Sequence, residues 1–211
     1  MNNNCNNLFE LLKEIQEKKS EDELLQFFTK VADLLFKQVA IQAGKTTFTF
    51  AEIEFYYYKK DVFEGPMHNC TYPRTKDAGQ FFWHYSGMDI CFESREKERY
   101  FGGILIRSIK KGNEIITGPM RCSDEIMNSC KDEMPRLVDR ETGCESPVST
   151  IRYGIEADKT DNKAGMKLRY YIRQGSWNRK REGVLVADKT TGGYKDVSKT
   201  DYYPAQPQER Q

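Results

Sequence analysis

Apolar side chains recur at helical spacing at the start of the chain. A first apolar stripe lies at Leu8, Leu11, Leu12 and Ile15. A second stripe lies at Leu24, Phe27, Phe28, Val31, Leu34 and Leu35. Ser20 and Glu23, just before the second stripe, have the spacing of a helix capping box. The pattern predicts two amphipathic helices that pack together.

The apolar pattern then changes to period two. Val39, Ile41 and Ala43 alternate with their neighbours, and the turn-forming pair Gly44-Lys45 follows. Alternation resumes at Phe48 and leads into an apolar and aromatic run at 53–58. This order predicts a β-hairpin whose second strand is long.

The rest of the chain mixes strand-like segments with turns. Residues 59–80 are rich in breakers and predict an ordered surface loop. Strands are predicted at 81–92, 103–109, 148–155 and 167–173, and 122–139 is predicted to be helical in part. The polar end, 202–211, is expected to fray. We therefore expect a mixed α+β fold, with one domain spanning 1–211. Within it, 1–33 would be a helical N-terminal extension and 182–211 a C-terminal extension.

Composition narrows the class of protein. The chain has 211 residues, of which 38% are hydrophobic, and lacks an apolar run of the roughly 20 residues that a membrane span needs. It also starts without a secretory signal pattern, so a soluble, cytoplasmic protein is expected. The six cysteines form no CxxC pair and the two histidines complete no zinc pattern, so neither a metal nor a cofactor is expected. The formal net charge of +1 requires any nucleic-acid site to be a local patch.

The first candidate for chemistry is the alternating segment Glu52-Ile53-Glu54-Phe55-Tyr56. On a strand, both glutamates and Tyr56 point to one face while Ile53 and Phe55 point to the other. Two interpretations are open: the solvated face of an edge strand, or a carboxylate in a cleft beside aromatic side chains.

Two further segments carry aromatic or basic side chains. In Phe81-Phe82-Trp83-His84-Tyr85, alternate rings would share a face, either in the core or as a platform on which a base stacks. Residues 163–181 interleave basic side chains with Tyr170, Tyr171 and Trp177. That stretch suits contact with phosphates and bases, or a solvated charged surface.

The segment Ala51-Glu52-Ile53-Glu54-Phe55-Tyr56 resembles the Val-Glu-Thr-Glu-Ala-Tyr strand of the alkyladenine (3-methyladenine) DNA glycosylases. These enzymes cut the N-glycosidic bond of alkylated or deaminated purines. In that family the second glutamate activates the attacking water, and the tyrosine stacks on the flipped base. The resemblance implies these roles for Glu54 and Tyr56.

Short blocks in the same order extend the resemblance from about Leu34 to Trp177. His68, followed by Tyr72-Pro73-Arg74-Thr75, resembles the family's pocket histidine and its Thr-Pro-Arg loop. Residues 81–92 resemble the family's aromatic strand, which ends in Tyr-Gly-Met and a cysteine. Trp83 takes the place of a pocket tyrosine in that strand.

Later blocks resemble the family's basic positions. Residues 104–108 resemble the Leu-Leu-Arg-Ala strand, whose arginine, here Arg107, helps to hold the water and a phosphate. Residues 167–177 resemble the closing Leu-Arg-Phe-Tyr-Val-Arg strand and its tryptophan, and 117–121 resemble Gly-Pro-x-Lys. The resemblance implies DNA phosphate contacts at Arg74, Lys167, Arg169 and Arg173.

Two positions depart from the family pattern. Ser86 stands where the family inserts a tyrosine into the duplex, and Tyr85 is the neighbouring residue that could take this role. Glu93 stands where the family has an asparagine that rejects the amine of guanine. A carboxylate accepts a hydrogen bond from an amine, so the base preference is expected to differ.

The resemblance implies a monomeric, monofunctional DNA glycosylase with no metal, in which Glu54 is the general base and Arg107 stabilises charge. Tyr56, His68, Trp83 and Glu93 would form the base pocket. Two other functions stay open: a binding or damage-recognition module of the same fold, and a hydrolase of N-glycosides outside duplex DNA. Accidental matches on an unrelated α+β domain are a further alternative, and Glu54 lying far from Arg107 would support it.

Overall fold

A computed structural model describes residues 4–62, 76–95, 97–140, 146–152 and 166–172, together with two short strands further along. The helices in these ranges are α1 (Asn4–Lys13), α2 (Glu21–Gln38) and α3 (Pro119–Ser129), with a 3₁₀ turn at Glu14–Glu17. The strands are β1 (Val39–Ala43), β2 (Thr46–Lys59), β3 (Phe81–His84), β4 (Gly87–Cys91), β5 (Tyr100–Lys111), β6 (Glu114–Thr117), β7 (Arg136–Asp139), β8 (Val148–Thr150), β9 (Arg169–Tyr171), β10 (Leu185–Ala187) and β11 (Tyr194–Asp196). The mixed α+β class predicted from the sequence is confirmed.

The two N-terminal helices form as the apolar stripes predict. At the start of α2, the Ser20 hydroxyl accepts a hydrogen bond from the Glu23 amide at 3.2 Å. The Glu23 carboxylate in turn accepts one from the Lys19 amide at 2.7 Å. These reciprocal bonds satisfy amides that the first helical turn leaves without partners. The predicted capping box is therefore confirmed.

Helix α1 has no acidic residue in its own first turn. Its N-terminus is held instead by Asp139 on β7, whose two carboxylate oxygens accept hydrogen bonds from the amides of Cys5 at 2.7 Å and Asn4 at 3.3 Å. The bond from Cys5 is the main reason that the pKa of Asp139 is lowered. A residue near the middle of the chain thus fixes the first helix against the sheet.

The sheet is a curled, antiparallel half-barrel built around β2. Its main path runs β3-β4-β5-β2-β1-β7, with β6 on β5 and β9 joining β2 to β8. Strand β5 pairs with β2 along most of its length. On its other side, β2 pairs first with β1 and then, at Glu52 to Glu54, with β9. The middle of β2 is therefore an interior strand, and its interpretation as an edge with a solvated face is wrong.

Helix α2 covers one face of this sheet. The Phe28 ring stacks on Phe55 with centroids 4.7 Å apart, and meets Tyr57 edge to face at 6.4 Å. Phe92 lies 5.9 Å from Phe28 and 6.2 Å from Phe55. All four rings are buried, so they supply a large share of the apolar area that holds α2 on the sheet.

The segment predicted as one strand at 81–92 is a hairpin of β3 and β4. Its two-residue turn is Tyr85-Ser86, because His84 pairs with Gly87. Gly87 has a φ of 136°, and a Cβ atom there would lie 2.8 Å from Cβ of Pro119. Glycine therefore allows the hairpin to lie against the start of α3. The sequence did not predict this turn, because neither of its two residues is a glycine or an asparagine.

Other boundaries also differ from the sequence predictions. Helix α3 begins before 122 and ends at Ser129, and the later part of 122–139 contains β7, which pairs with β1. Strands β8 and β9 occupy only parts of the predicted 148–155 and 167–173. Strand β2 continues to Lys59, into the segment predicted as a loop. Residues 63–75 of that loop and the end 202–211 lie outside the described residues. No helix in the described ranges has the length and apolarity needed to cross a membrane.

We expect Asp139→Ala to lower the free energy of unfolding by about 1 kcal/mol at pH 7, the typical cost of losing a helix cap. Because hydrogen bonding lowers the pKa of Asp139 in the folded state, its contribution is present above the unfolded pKa of about 3.9 and is lost as the pH falls. Urea unfolding at several pH values from 7 to 3 tests this. Asp132→Ala, in an exposed turn, is the control. A difference between wild type and Asp139→Ala that is unchanged at pH 3 would contradict the capping role.

Candidate functional site

The polar face of β2 meets the polar side chains of its neighbours. Cross-strand pairing places Glu54 opposite Leu105 of β5 on one side and Arg169 of β9 on the other. The register of β2 against β5 is irregular around Glu52, which pairs with Ser108. Directly paired residues share a face, so these neighbours gather around the two glutamates. The predicted grouping of Glu52, Glu54 and Tyr56 on one face agrees with this register.

Glu54 is fully buried, and its two carboxylate oxygens have different environments. Oε2 accepts hydrogen bonds from the Tyr56 hydroxyl at 2.9 Å and from Nη1 of Arg107 at 3.0 Å. Oε1 accepts no hydrogen bond, and Nε of Arg169 lies 3.7 Å from it. Glu54 and Arg107, which come from different strands, are therefore in direct contact. The separation that would have supported accidental matches is not observed.

Glu52 is 2% exposed and forms the second carboxylate of this cluster. Its Oε2 accepts a hydrogen bond from the Ser108 hydroxyl at 2.9 Å, and its Oε1 accepts one from Arg169. Nε of Arg107 lies 3.7 Å from the same Oε1. Each arginine thus lies between two carboxylates. Such geometry is what buried charges need, because ions removed from water are costly unless they are paired and hydrogen-bonded.

Arg169 is fully buried, which corrects its predicted role as a contact to DNA phosphate. A surface contact needs an exposed guanidinium, whereas this one lies beneath the sheet surface against Glu52. Arg169 pairs with Glu54 across the sheet and hydrogen-bonds Glu52, so its guanidinium is held inside the cluster. Lys167 is exposed, as its predicted role requires. Arg74 and Arg173 lie outside the described residues.

Tyr56 is held by Arg152, a residue that no motif in the sequence indicated. The Arg152 guanidinium carbon lies 4.9 Å from the centroid of the Tyr56 ring, and its Nη1 donates a hydrogen bond to the Phe55 carbonyl at 3.0 Å. Burial, followed by the charge of Glu54, raises the pKa of Tyr56 well above its ordinary value. The Tyr56 hydroxyl therefore keeps its proton and remains a donor to Glu54.

A glycine lies across the strand from Tyr56. Gly103 of β5 pairs with Tyr56 on one side and with Cys91 of β4 on the other. Both Gly103 and Cys91 are buried. A glycine inside a strand often marks the place where a ligand approaches the backbone.

Trp83 does not join this site. Asp89, Leu105 and Glu54 are paired across neighbouring strands and share one face of the sheet. Trp83 pairs with Met88, so it points to the opposite face, where it packs against the hydrophobic core. Its predicted place in a pocket with Glu54 is therefore not supported. Phe82 and His84 alternate with Trp83 along β3, so they point to the same face of the sheet as Glu54. Their rings stack with centroids 5.9 Å apart, and Nε2 of His84 lies 3.2 Å from the buried carboxylate of Asp89.

The remaining predicted residues lie at the edge of this arrangement or outside it. Glu93 accepts a hydrogen bond from the Ala78 amide at 3.2 Å and forms a salt bridge with Arg95. Neither partner belongs to the Glu54 cluster. Ser86 and Tyr85 form the tip of the β3-β4 hairpin, where Tyr85 is 80% exposed. His68 lies outside the described residues.

Comparisons with known proteins add no relative. No protein-family model matches the chain, and no match is found among curated proteins. Within the described ranges, no three His, Cys, Asp or Glu side chains are arranged to hold a metal ion. The case for a function therefore depends on the geometry of the site.

We expect Arg169→Met to lower the free energy of unfolding by about 3–5 kcal/mol, because it removes the buried cation that hydrogen-bonds the Glu52 carboxylate. Glu52→Gln should also destabilise the fold, and the double variant should cost less than the sum of the two single changes. Urea unfolding of all four proteins measures this coupling.

The matched control is the exposed pair Lys111 and Glu125, which are 2.7 Å apart. The corresponding changes there, Lys111→Met and Glu125→Gln, should have far smaller effects, because water and salt screen a surface ion pair. Additive effects at Glu52 and Arg169 would show that the two buried side chains do not stabilise each other.

Proposed function

We propose that the Glu54 cluster is the hydrolytic site of a DNA base-excision glycosylase. The enzyme would cleave the N-glycosidic bond of alkylated or deaminated purines and leave an abasic site. DNA would be its partner and the cytoplasm its compartment. The observation that carries the proposal is the asymmetry of the buried Glu54 carboxylate, in which two donors hold one oxygen and none holds the other.

This asymmetry suits a general base. A buried carboxylate oxygen without a protein donor is normally satisfied by water. Tyr56 and Arg107 fix Oε2, so Oε1 is the atom that can accept a proton from that water as it attacks the sugar carbon. Because the cluster is pre-organised, the carboxylate does not have to reorient during the reaction.

Arg107 contributes charge as well as position. Its guanidinium lies 3.0 Å from the Glu54 carboxylate and gives it a permanently charged partner. In a glycosidic cleavage the base departs as the sugar becomes cation-like, and a nearby anion stabilises that change. Glu54 is thus suited to stabilise the sugar and to activate the water, while Arg107 holds it in place.

The ring of Tyr56 is the proposed place for the base to stack. Enzymes that act on a base in DNA take it out of the stack and hold it against aromatic or apolar side chains. Tyr56 provides such a ring, and its hydroxyl already contacts Glu54. A base stacked on Tyr56 would therefore bring its glycosidic bond close to the proposed general base.

The exposed ring of Tyr85 fits the role of the wedge. It is at the tip of a hairpin and 80% exposed, whereas its neighbour Ser86 is half-buried and its amide donates to Nδ1 of His84 at 3.2 Å. An apolar or aromatic side chain inserted between base pairs can fill the space that a flipped nucleotide leaves. We therefore propose Tyr85 as the intercalating residue. The near-neutral charge of the chain should make DNA binding weak and sensitive to salt.

We expect Glu54→Gln to reduce release of the base by at least about 100-fold, the usual contribution of a general base. Single-turnover assays with oligonucleotides that contain hypoxanthine, ethenoadenine or 3-methyladenine, single- and double-stranded, measure this. Glu125→Gln, an exposed change of the same kind, should leave release unchanged. Thermal unfolding of Glu54→Gln must show that the variant is folded.

Each outcome selects one of the open functions. Release that is unaffected by Glu54→Gln would contradict the assigned general base. Release only from single strands or nucleosides would favour an N-glycoside hydrolase that acts outside duplex DNA. Salt-dependent binding without release would favour a damage-recognition module. Neither release nor binding would leave the cluster with a purely structural role.

We expect Tyr85→Ala to lower release from duplex DNA by about 10-fold or more, because unstacking a base costs a few kcal/mol. Release from a single strand, which needs no wedge, should be unchanged. Met120→Ala is the control, since Met120 is also an exposed apolar residue, at the start of α3. An equal loss on single and double strands would show that Tyr85 does not act as a wedge.

A further inference from the structure

The turn at the tip of the β3-β4 hairpin lacks the backbone conformation that two-residue hairpin turns usually have. Such turns normally place their first residue, or both, at positive φ, because the resulting twist matches that of the flanking strands. Neither Tyr85 nor Ser86 has a positive φ. The backbone therefore does little to define this turn, and side-chain contacts have a larger part in fixing its shape.

The side chain of His84 makes contacts of this kind. Its Nδ1 accepts a hydrogen bond from the Ser86 amide at 3.2 Å. The bond closes a small ring that contains the backbone of Tyr85, and so restricts the backbone angles of that residue. The imidazole also meets the Tyr85 ring edge to face, with centroids 6.3 Å apart and an angle of 80° between the planes. His84 thus restrains both the backbone and the ring of Tyr85.

A buried carboxylate selects the form of His84 that makes this hydrogen bond. A backbone amide only donates, so Nδ1 must be the ring nitrogen without a proton. In a neutral imidazole the proton is then on Nε2, which lies 3.2 Å from Oδ1 of Asp89. The Asp89 side chain is 1% exposed, so water screens this contact little. Asp89 therefore favours the tautomer in which Nδ1 accepts from the turn.

The Gly87 end of the turn is fixed by packing. A Cβ atom at Gly87 would lie 2.8 Å from Cβ of Pro119, so the first residue of β4 is in close contact with α3. The tip is thus anchored to α3 at Gly87 and to His84 at Ser86. Tyr85 is 80% exposed, so its ring extends into solvent from a turn that is fixed beneath it.

We propose that His84 is a positioning residue for Tyr85, which it holds in the orientation from which the ring enters duplex DNA. The inference rests on the proposed function, in which Tyr85 is the wedge. An exposed side chain and its turn lose conformational freedom when they become ordered on binding, and a tip that is already ordered avoids part of this cost. His84 acts through Tyr85 and takes no part in the chemical step.

The test uses two substitutions that separate the acceptor of His84 from its ring. His84→Phe keeps a ring beside Tyr85 but removes the acceptor. His84→Asn loses the ring but keeps an acceptor, because an asparagine side chain can bond the amide two residues further on. We expect His84→Phe to lower single-turnover release from duplex DNA by about 5-fold, the factor that one intramolecular hydrogen bond contributes. Release from a single strand should be unchanged, and His84→Asn should release the base from duplex DNA at close to the wild-type rate.

A double variant distinguishes positioning from a general loss of structure. In the Tyr85→Ala background, His84→Phe should cause no further loss on duplex DNA, because there is no wedge left to position. The matched control is Gln42→Leu, which removes a side-chain hydrogen bond to the Gly44 carbonyl at the other two-residue hairpin turn. That change should leave release unchanged. If His84→Phe does not fold, the comparison is made with His84→Phe/Asp89→Leu, which removes both polar groups.

Three results would overturn the inference. Duplex release that is unchanged in His84→Phe would show that the hydrogen bond does not matter. Equal losses in His84→Phe and His84→Asn would show that the acceptor is not the group that matters. A loss on single strands as large as that on duplex DNA, or one that adds to the effect of Tyr85→Ala, would show that His84 does not act through the wedge.

Nuclear magnetic resonance decides the contacts of His84 separately from the proposed function. The chain has two histidines, His68 and His84, so the ring nitrogen signals are assigned with His68→Gln. We expect the proton of His84 on Nε2, and a lower backbone order parameter for Tyr85 in His84→Phe than in the wild type. A proton on Nδ1, or equal order in the two proteins, would overturn the inference. If the wild type neither releases a base nor binds duplex DNA, the proposed function has failed, and these two measurements alone show whether His84 holds the tip.

Discussion

Two carboxylates buried on one strand impose the strongest constraint on this fold. Glu52 and Glu54 are almost without exposure, and each needs cationic partners to remain inside the protein as ions. Arg107 must come from β5 and Arg169 from β9 to supply them. The cluster therefore requires both neighbours of β2 to be in place and in register. It links strands that are more than 50 residues apart in the chain, as the separation of Glu54 and Arg107 shows.

The two buried glutamates differ in how their carboxylate oxygens are hydrogen-bonded. Glu52 has a hydroxyl and a guanidinium on its two oxygens, which is what a structural carboxylate needs. Glu54 concentrates its two hydrogen bonds on one oxygen and leaves the other without a donor. A network selected only for stability gains nothing from that arrangement, because an unsatisfied buried oxygen costs free energy. A general base, in contrast, requires a free acceptor at a fixed position.

Local periodicity predicted those parts of the fold that depend on neighbouring residues. The stripes of α1 and α2, the capping box at Ser20 and the common face of Glu52, Glu54 and Tyr56 are all confirmed. Whether β2 is an edge or an interior strand depends on β9, which is more than 100 residues further along the chain. No local pattern contains that information. The burial of Arg169 could not be predicted for the same reason, since its basic neighbours suggested a solvated surface.

Turn positions limited the prediction of the site. The position of the β3-β4 turn decides whether Trp83 points to the same face of the sheet as Glu54. The unbroken aromatic run gave no sign of where that turn lies. Arg152 follows a three-residue strand and matches no motif, so only its contact with Tyr56 shows its importance. Glu54, Tyr56 and Arg107 are in contact here, and all three lie on the two longest strands, whose register errors are least tolerated.

Tyr56 connects the charge cluster to whatever the site binds. Its hydroxyl donates a hydrogen bond to Glu54, its backbone pairs with Gly103, and its ring lies against Arg152. A change in any one of these contacts would alter the other two, because a tyrosine side chain has only two rotatable bonds before its hydroxyl. Binding of a ring against Tyr56 is thereby coupled to the position of the Glu54 carboxylate. Under the proposed function, recognition of the nucleobase and orientation of Glu54 would both depend on this one side chain.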